Sequence, residues 1–184
     1  DFSYDKKTFA REAPGHELDP GYASMYHSFA FESHKRSNLH YLDEDATLVY
    51  AAGGVVHFLD LAMMTSSYLP SLGGNGVGCI EVHKERNLIC VAETGVMPNV
   101  FIYEYPSLSL IRVLKGGTER AYSAAHFSGD GHKLATVGSY PDFMLTVWDW
   151  NKEAIILRTK AFAQEVYRVR FSPRFEGQLV TSGT

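Results

Sequence analysis

Val147-Trp148-Asp149-Trp150 ends an apolar run, with Thr136-Val137-Gly138-Ser139 ahead of it and Phe127-Ser128-Gly129-Asp130-Gly131 further ahead. The same order returns at 82–105, faintly at 42–61, and starts again at 171–184. Two landmarks fix the repeat. Asp60, Glu104 and Asp149 fill the second slot of the Trp-Asp pair, spaced by 44 and 45 residues, while Val82, Phe127 and Phe171 end each first strand, spaced by 45 and 44. A drift of one residue is what loop-length variation produces. A period of about 40–45 residues with four short strands and a Trp-Asp close marks a WD40-type β-propeller. The expected class is therefore all-β: a partial propeller of about three and a half blades, each of four antiparallel strands. Such folds hold other molecules more often than they transform them.

Working outward, residues 1–25 are polar and broken by Pro14-Gly15 and Pro20-Gly21, and read as an N-terminal extension or linker. Residues 26–184 read as the N-terminal part of an incomplete propeller. Tyr26–Phe31 alternates in strand fashion, and an early strand of this kind suits completion of a last blade. Blade one is expected at Leu39–Leu42, Leu48–Ala52, Val55–Leu61 and Ser67–Leu72, with turns at Asp43-Glu44-Asp45 and Gly53-Gly54. Blade two is expected at Gly78–Val82, Leu88–Glu93, Val100–Tyr105 and Leu108–Leu114. Blade three follows at Tyr122–Phe127, Lys133–Gly138, Met144–Asp149 and Ala154–Arg158, and blade four begins at Glu165–Phe171 and Gln178–Thr181. A closed propeller needs six to eight blades, so Thr184 is expected to fall inside the ring rather than at its end.

The composition suits a globular core: 45% apolar, 21% charged, and 13% aromatic, which fits many short packed strands. A net charge of −4 forecasts neither nucleic acid nor an anionic membrane as partner. Two cysteines argue for a reducing compartment over a disulfide scaffold. No apolar run approaches the ~18 residues of a membrane span. The chain opens without an initiator Met or a signal-peptide core, so targeting is left open.

Several chemical motifs fail on inspection. Gly73–Gly78 lacks the Lys-Ser/Thr and the helix that a phosphate loop needs, and reads as a flexible inter-blade loop. His16-Glu17 has Pro20 where a zinc motif needs His. Cys79 and His83, even with Cys90 on a neighbouring strand, read as blade core. No Gly-x-Ser-x-Gly elbow exists, and Asp43–Asp45 reads as a solvated turn. No catalytic residue, cofactor or metal is expected.

Asp142 is more informative. It lies in the turn Ser139–Phe143 between second and third strands. An Asp there caps the turn and joins a network with a Ser or Thr of the second strand and the Trp of the third. Ser139 and Trp148 stand in the matching places, with Asp149 closing the repeat. The His that usually completes the network is replaced by Gly117–Arg120, so the network reads as incomplete. The turns Gly95–Asn99, Gly116–Arg120 and Tyr140–Phe143 belong on one rim, where Met97, Arg120, Tyr140 and Phe143 suit partner contacts.

An ordered series of words then carries a resemblance: Ile102–Leu108, Gly117-Thr118-Glu119, Val137-Gly138-Ser139 with Pro141-Asp142, Leu145–Trp150, Ile156–Phe162 and Gln164–Val166. Tyr26–Phe29, Lys35-Arg36, Asn38-Leu39 and Leu42-Asp43 add to it upstream. Over roughly residues 24–184 the chain resembles the axonemal WD-repeat family of cilia- and flagella-associated protein forty-four. The resemblance implies tandem propellers followed by coiled coil, and a sister WD-repeat partner, cilia- and flagella-associated protein forty-three. It implies a tether between an inner-arm dynein and the tubulin of the doublet microtubule, in the axoneme of a cilium or flagellum. It carries over no catalytic residue. The alternatives are a microtubule-associated WD protein of the echinoderm type, or an intraflagellar-transport scaffold. A propeller-based enzyme is a third class.

Overall fold

Turn chemistry sets the strand ends. Gly53 takes a φ of 60° and lets Ala52 face Val55 directly across a two-residue hairpin. Asn87 and Glu153 take left-handed conformations after short 3-10 turns at Lys84–Arg86 and Trp150–Lys152. The computed structural model describes residue 28 and residues 30–42, 46–161 and 164–184. The expected extension 1–25, His16-Glu17 and the acidic turn Asp43–Asp45 lie outside these residues.

Among the described residues there are three four-stranded antiparallel sheets and one of two strands. Blade one is β1 (Leu39–Leu42), β2 (Thr47–Ala52), β3 (Val55–Asp60) and β4 (Thr65–Pro70). Blade two is β5 (Val77–His83), β6 (Leu88–Glu93), β7 (Val100–Glu104) and β8 (Ser109–Leu114). Blade three is β9 (Tyr122–Phe127), β10 (Lys133–Gly138), β11 (Met144–Asp149) and β12 (Ala154–Lys160). Blade four holds β13 (Val166–Phe171) and β14 (Leu179–Gly183). Every strand of a blade pairs with its neighbour in sequence, so each sheet is a simple meander.

Strand bounds differ from those expected by at most two residues, and β12 and β14 run two residues further than expected. β4 starts two residues early, because Asp60 accepts from the amides of Ala62 and Met63 and tightens the turn before it. Of the run 26–31, residues 26, 27 and 29 lie outside the described residues, and Ser28, Ala30 and Phe31 are in no strand. The Phe31 ring packs edge-on against Tyr50 of blade one, 5.8 Å away.

Successive sheets pack face to face, and blades two and three bury both of their faces. Val49, Ala51, Val56 and Phe58 of blade one meet Ile80, Ile89, Val91 and Phe101 of blade two. The opposite face of blade two sets Cys90, Ala92, Val100 and Ile102 against Tyr122, Phe127, Leu134 and Trp148. Ala135, Val137, Leu145 and Val147 then meet Val166 and Val169 of blade four. A strand buried on both sides reads as a continuous apolar run, which explains Leu88-Ile89-Cys90-Val91-Ala92. Outer β12 is exposed along its whole length and ends in Arg158 and Lys160.

Candidate functional site

Consecutive turns of a meander alternate between its two ends. The turn between the second and third strands therefore shares a rim with the loop leading into each blade. On that rim Asp142 accepts from the Thr118 hydroxyl at 2.8 Å and from the Glu119 amide at 3.0 Å. The segment Gly117–Arg120, which replaces the usual His, thus supplies the partners of Asp142. Trp148 donates its indole N–H to Thr136 Oγ1 at 2.9 Å, Thr136 donates to the Thr146 carbonyl, and Thr146 donates to the Gly117 carbonyl at 3.2 Å. Ser139 stands apart: its hydroxyl donates to the Tyr140 carbonyl at 3.4 Å. Thr118, Thr136 and Thr146 were not singled out from the sequence, although one Thr in each of two adjacent apolar strands, Thr136 opposite Thr146, was a usable signal.

The same fastening recurs in the other blades with different chemistry. In blade two the buried Glu93 carboxylate accepts from the Ser71 hydroxyl and from the Gly73 amide at 2.9 and 3.1 Å. The Gly73–Gly78 loop, expected to be flexible, is pinned at its start by this carboxylate. In blade one the buried Asn38 side chain exchanges two hydrogen bonds with the Ala51 backbone, at 2.8 and 2.9 Å. Glu32 Oε1 accepts from the Gly53 amide at 2.9 Å. In each case a side chain ties the entry loop of a blade to the end of its second strand or the turn that follows.

The rim loops also hold one another. The Gly95 amide donates to the Arg120 carbonyl at 2.7 Å and the Met97 amide to the Glu119 carbonyl at 2.9 Å. Four apolar tips project from this fastened backbone: Leu72, Val96, Met97 and Tyr140, the last 74% exposed. The Tyr140 and Phe143 rings meet edge to face at 6.3 Å. Arg120 is exposed beside them. Leu72 and Val96 were not foreseen, though each is apolar and lies beside glycine in a loop.

Asp149 serves the opposite rim. Its carboxylate accepts from the Lys152 amide at 3.3 Å and pairs with the Lys152 ammonium at 2.9 Å. Asp60 caps the corresponding turn of blade one, and Glu104 accepts from the Ser107 hydroxyl at 2.9 Å in blade two. The second slot of the Trp-Asp pair is thus a turn cap in all three blades.

Nucleophilic chemistry finds little support. Burial, with Glu81 nearby, pushes the Cys79 thiol up to about 12, and burial pushes the Cys90 thiol up as well. Both side chains pack in the apolar cluster between blades two and three, while the His83 ring turns to the Gly129 carbonyl. Among the described residues no cluster of three or more His, Cys, Asp or Glu could hold a metal ion. What the rim presents is exposed aromatic and apolar side chains on loops joined by hydrogen bonds.

No protein-family model matches the chain. Over 170 residues it is 49% identical to cilia- and flagella-associated protein 44 of Chlamydomonas reinhardtii, covering 89% of this chain and 10% of that protein. The Mus musculus protein of the same name is 45% identical over 163 residues, covering 89% and 9%. Cilia- and flagella-associated protein 43 of Mus musculus is similar at 28% identity over 147 residues, covering 80% and 9%. The chain spans about a tenth of the length of these relatives. A chain in the crystal structure of the mitotic checkpoint complex superposes with a TM-score of 0.67 over 79% of this chain and 43% of its own length, at 18% identity. That likeness concerns the fold alone, which is that of a WD40-type β-propeller.

Proposed function

Taking this chain as a homologue of a stretch of cilia- and flagella-associated protein 44, a ciliary or flagellar protein, we propose that it is a non-enzymatic axonemal scaffold. In this reading it is the WD-repeat part of a tether that links an inner-arm dynein to the doublet microtubule and regulates beating. The observation that carries the reading is 49% identity across 89% of the chain. The weaker kinship with cilia- and flagella-associated protein 43 supports a sister partner of that type. The fastened rim with Met97, Arg120, Tyr140 and Phe143 is the surface assigned to partner contact, because it presents apolar and cationic tips at little entropic cost.

Crosslinking of intact axonemes that carry the full-length protein tests this. Crosslinks from this chain to inner-arm dynein, tubulin or the sister protein are expected. Crosslinks confined to proteins outside the axoneme would sink the tether.

A further inference from the structure

One imidazole touches three blades. His126 lies on β9, in register with Ala135, on the side of blade three that packs against blade four. Its Nδ1 accepts from the backbone N–H of Phe171 on β13 at 3.1 Å. That bond needs a lone pair on Nδ1, so the ring is neutral and carries its proton on Nε2. Nε2 in turn lies 3.9 Å from Oε1 of Glu81 on β5, too far for a hydrogen bond. Beside the ring opens a cavity of about 310 Å³, lined by Glu81, His83, Lys84, His126 and Arg170, through which water and protons reach it.

We propose that His126 is a proton-gated joint between blade three and blade four. A proton on Nδ1 removes the acceptor of the Phe171 N–H and sets two donors 3.1 Å apart. β13 then loosens from β9, while the seam between blades two and three does not depend on this bond. Across that seam run the Thr94–Ala121 bridge, the Arg112 bond to the Asn151 carbonyl, the His83 ring on the Gly129 carbonyl and the Arg86 guanidinium on His132 Nε2.

The charged neighbours decide where the joint opens. From β5 come Glu81 and His83, and from β13 Arg170, with Arg168 turned to a separate cavity beside Arg36. From β10 comes Lys133, which is paired with Glu176 at 3.2 Å, and from β1 His40 near Arg170. Burial, then Arg170 and His83, holds His126 down to about 4. Burial also pushes Glu81 up to about 7, against the pull of Arg170, so Glu81 is already protonated when His126 begins to titrate. Glu81 and His126 are thus close without forming an ion pair at neutral pH. The His126 ring in the closed joint binds its proton more weakly than a free ring. Its contribution is complete above pH 6.5 and is lost as the pH falls through about 4.

Amide exchange of the full-length protein, normalised for the intrinsic effect of pH, tests the joint. Between pH 7.0 and 4.5 protection of residues 166–171 should fall about tenfold or more, while residues 88–93, where Cys90 pairs with Glu81, should hold or gain protection and not lose it. His126→Asn keeps a side-chain acceptor near the place of Nδ1 but does not titrate, and should abolish the acid-dependent fall. No fall in the wild type, or an equal fall in the Asn variant, overturns the proposal. If the Asn variant is unfolded at pH 7.0, the wild-type profile decides: a one-proton loss confined to 166–171 supports the joint, and a loss shared with 88–93 refutes it.

Discussion

Asp142 accepts from the Thr118 hydroxyl and the Glu119 amide, while Ser139, three residues earlier, spends its hydroxyl on the neighbouring Tyr140 carbonyl. The two therefore differ in consequence. Asp142→Ala leaves the buried Thr118 hydroxyl and an amide without their acceptor, and should destabilise the entry loop by about 1–3 kcal/mol. Ser139→Ala should stay within about 0.5 kcal/mol. Amide-exchange protection of residues 116–121 reads both. Glu81 makes a second prediction at this scale. Its folded pKa of about 7 exceeds the ordinary 4.5 because of burial, so the fold holds that proton more tightly than the unfolded chain does. Stability from this group is full below pH 4.5 and is lost as the pH rises through about 7. Glu81→Gln should therefore raise stability at pH 8, by on the order of 1–3 kcal/mol, and change little at pH 4, as thermal melts at the two pH values would show.

Among the elements, the strands were legible because burial on two faces leaves a mark in the chain. β6 is buried at every residue and was visible as an unbroken apolar run. β12 was visible as an outer strand from its Arg158 and Lys160. The rim fastenings were hidden for a physical reason: any group that accepts from a loop amide will serve. Asn38 sits before its first strand, Glu93 ends its second, and Asp142 lies in the turn after the second, so no fixed position repeats. The Trp-Asp slot was half legible. Its acidic member recurs as Asp60, Glu104 and Asp149 because each caps a turn, whereas the preceding residue varies as Leu59, Tyr103 or Trp148, and of these Trp148 adds an indole bond to Thr136. Packing predicts a sharp contrast between strands. Ile89, fully buried between blades one and two, should cost about 2–5 kcal/mol when replaced by Ala. Ile156→Thr on β12, where the side chain is 54% exposed, should cost under about 1 kcal/mol. Thermal melting separates the two.

At the scale of the molecule, blades lean on one another, so damage to one seam spreads to its neighbours. The partner-binding role assigned to the rim has a matching test. Met97→Ala with Tyr140→Ala removes two exposed tips and should leave the melting temperature nearly unchanged. The same pair should weaken capture of axonemal partners by about tenfold or more, in pull-downs from axonemal extracts. Unaltered capture would detach these residues from the interface. A propeller built of identical blades would present a rim with near-rotational symmetry, on which a partner could settle at any of several angles. Here each entry loop is moored by a different group: an amide side chain in blade one, a buried glutamate in blade two, an aspartate in blade three. The loops so held differ in outline and in charge from blade to blade. On the partner-binding role proposed for it, the rim would work as a keyed dial: a ligand that reads two adjacent loops would find a single angular setting, and so learn the orientation of what is joined to these blades.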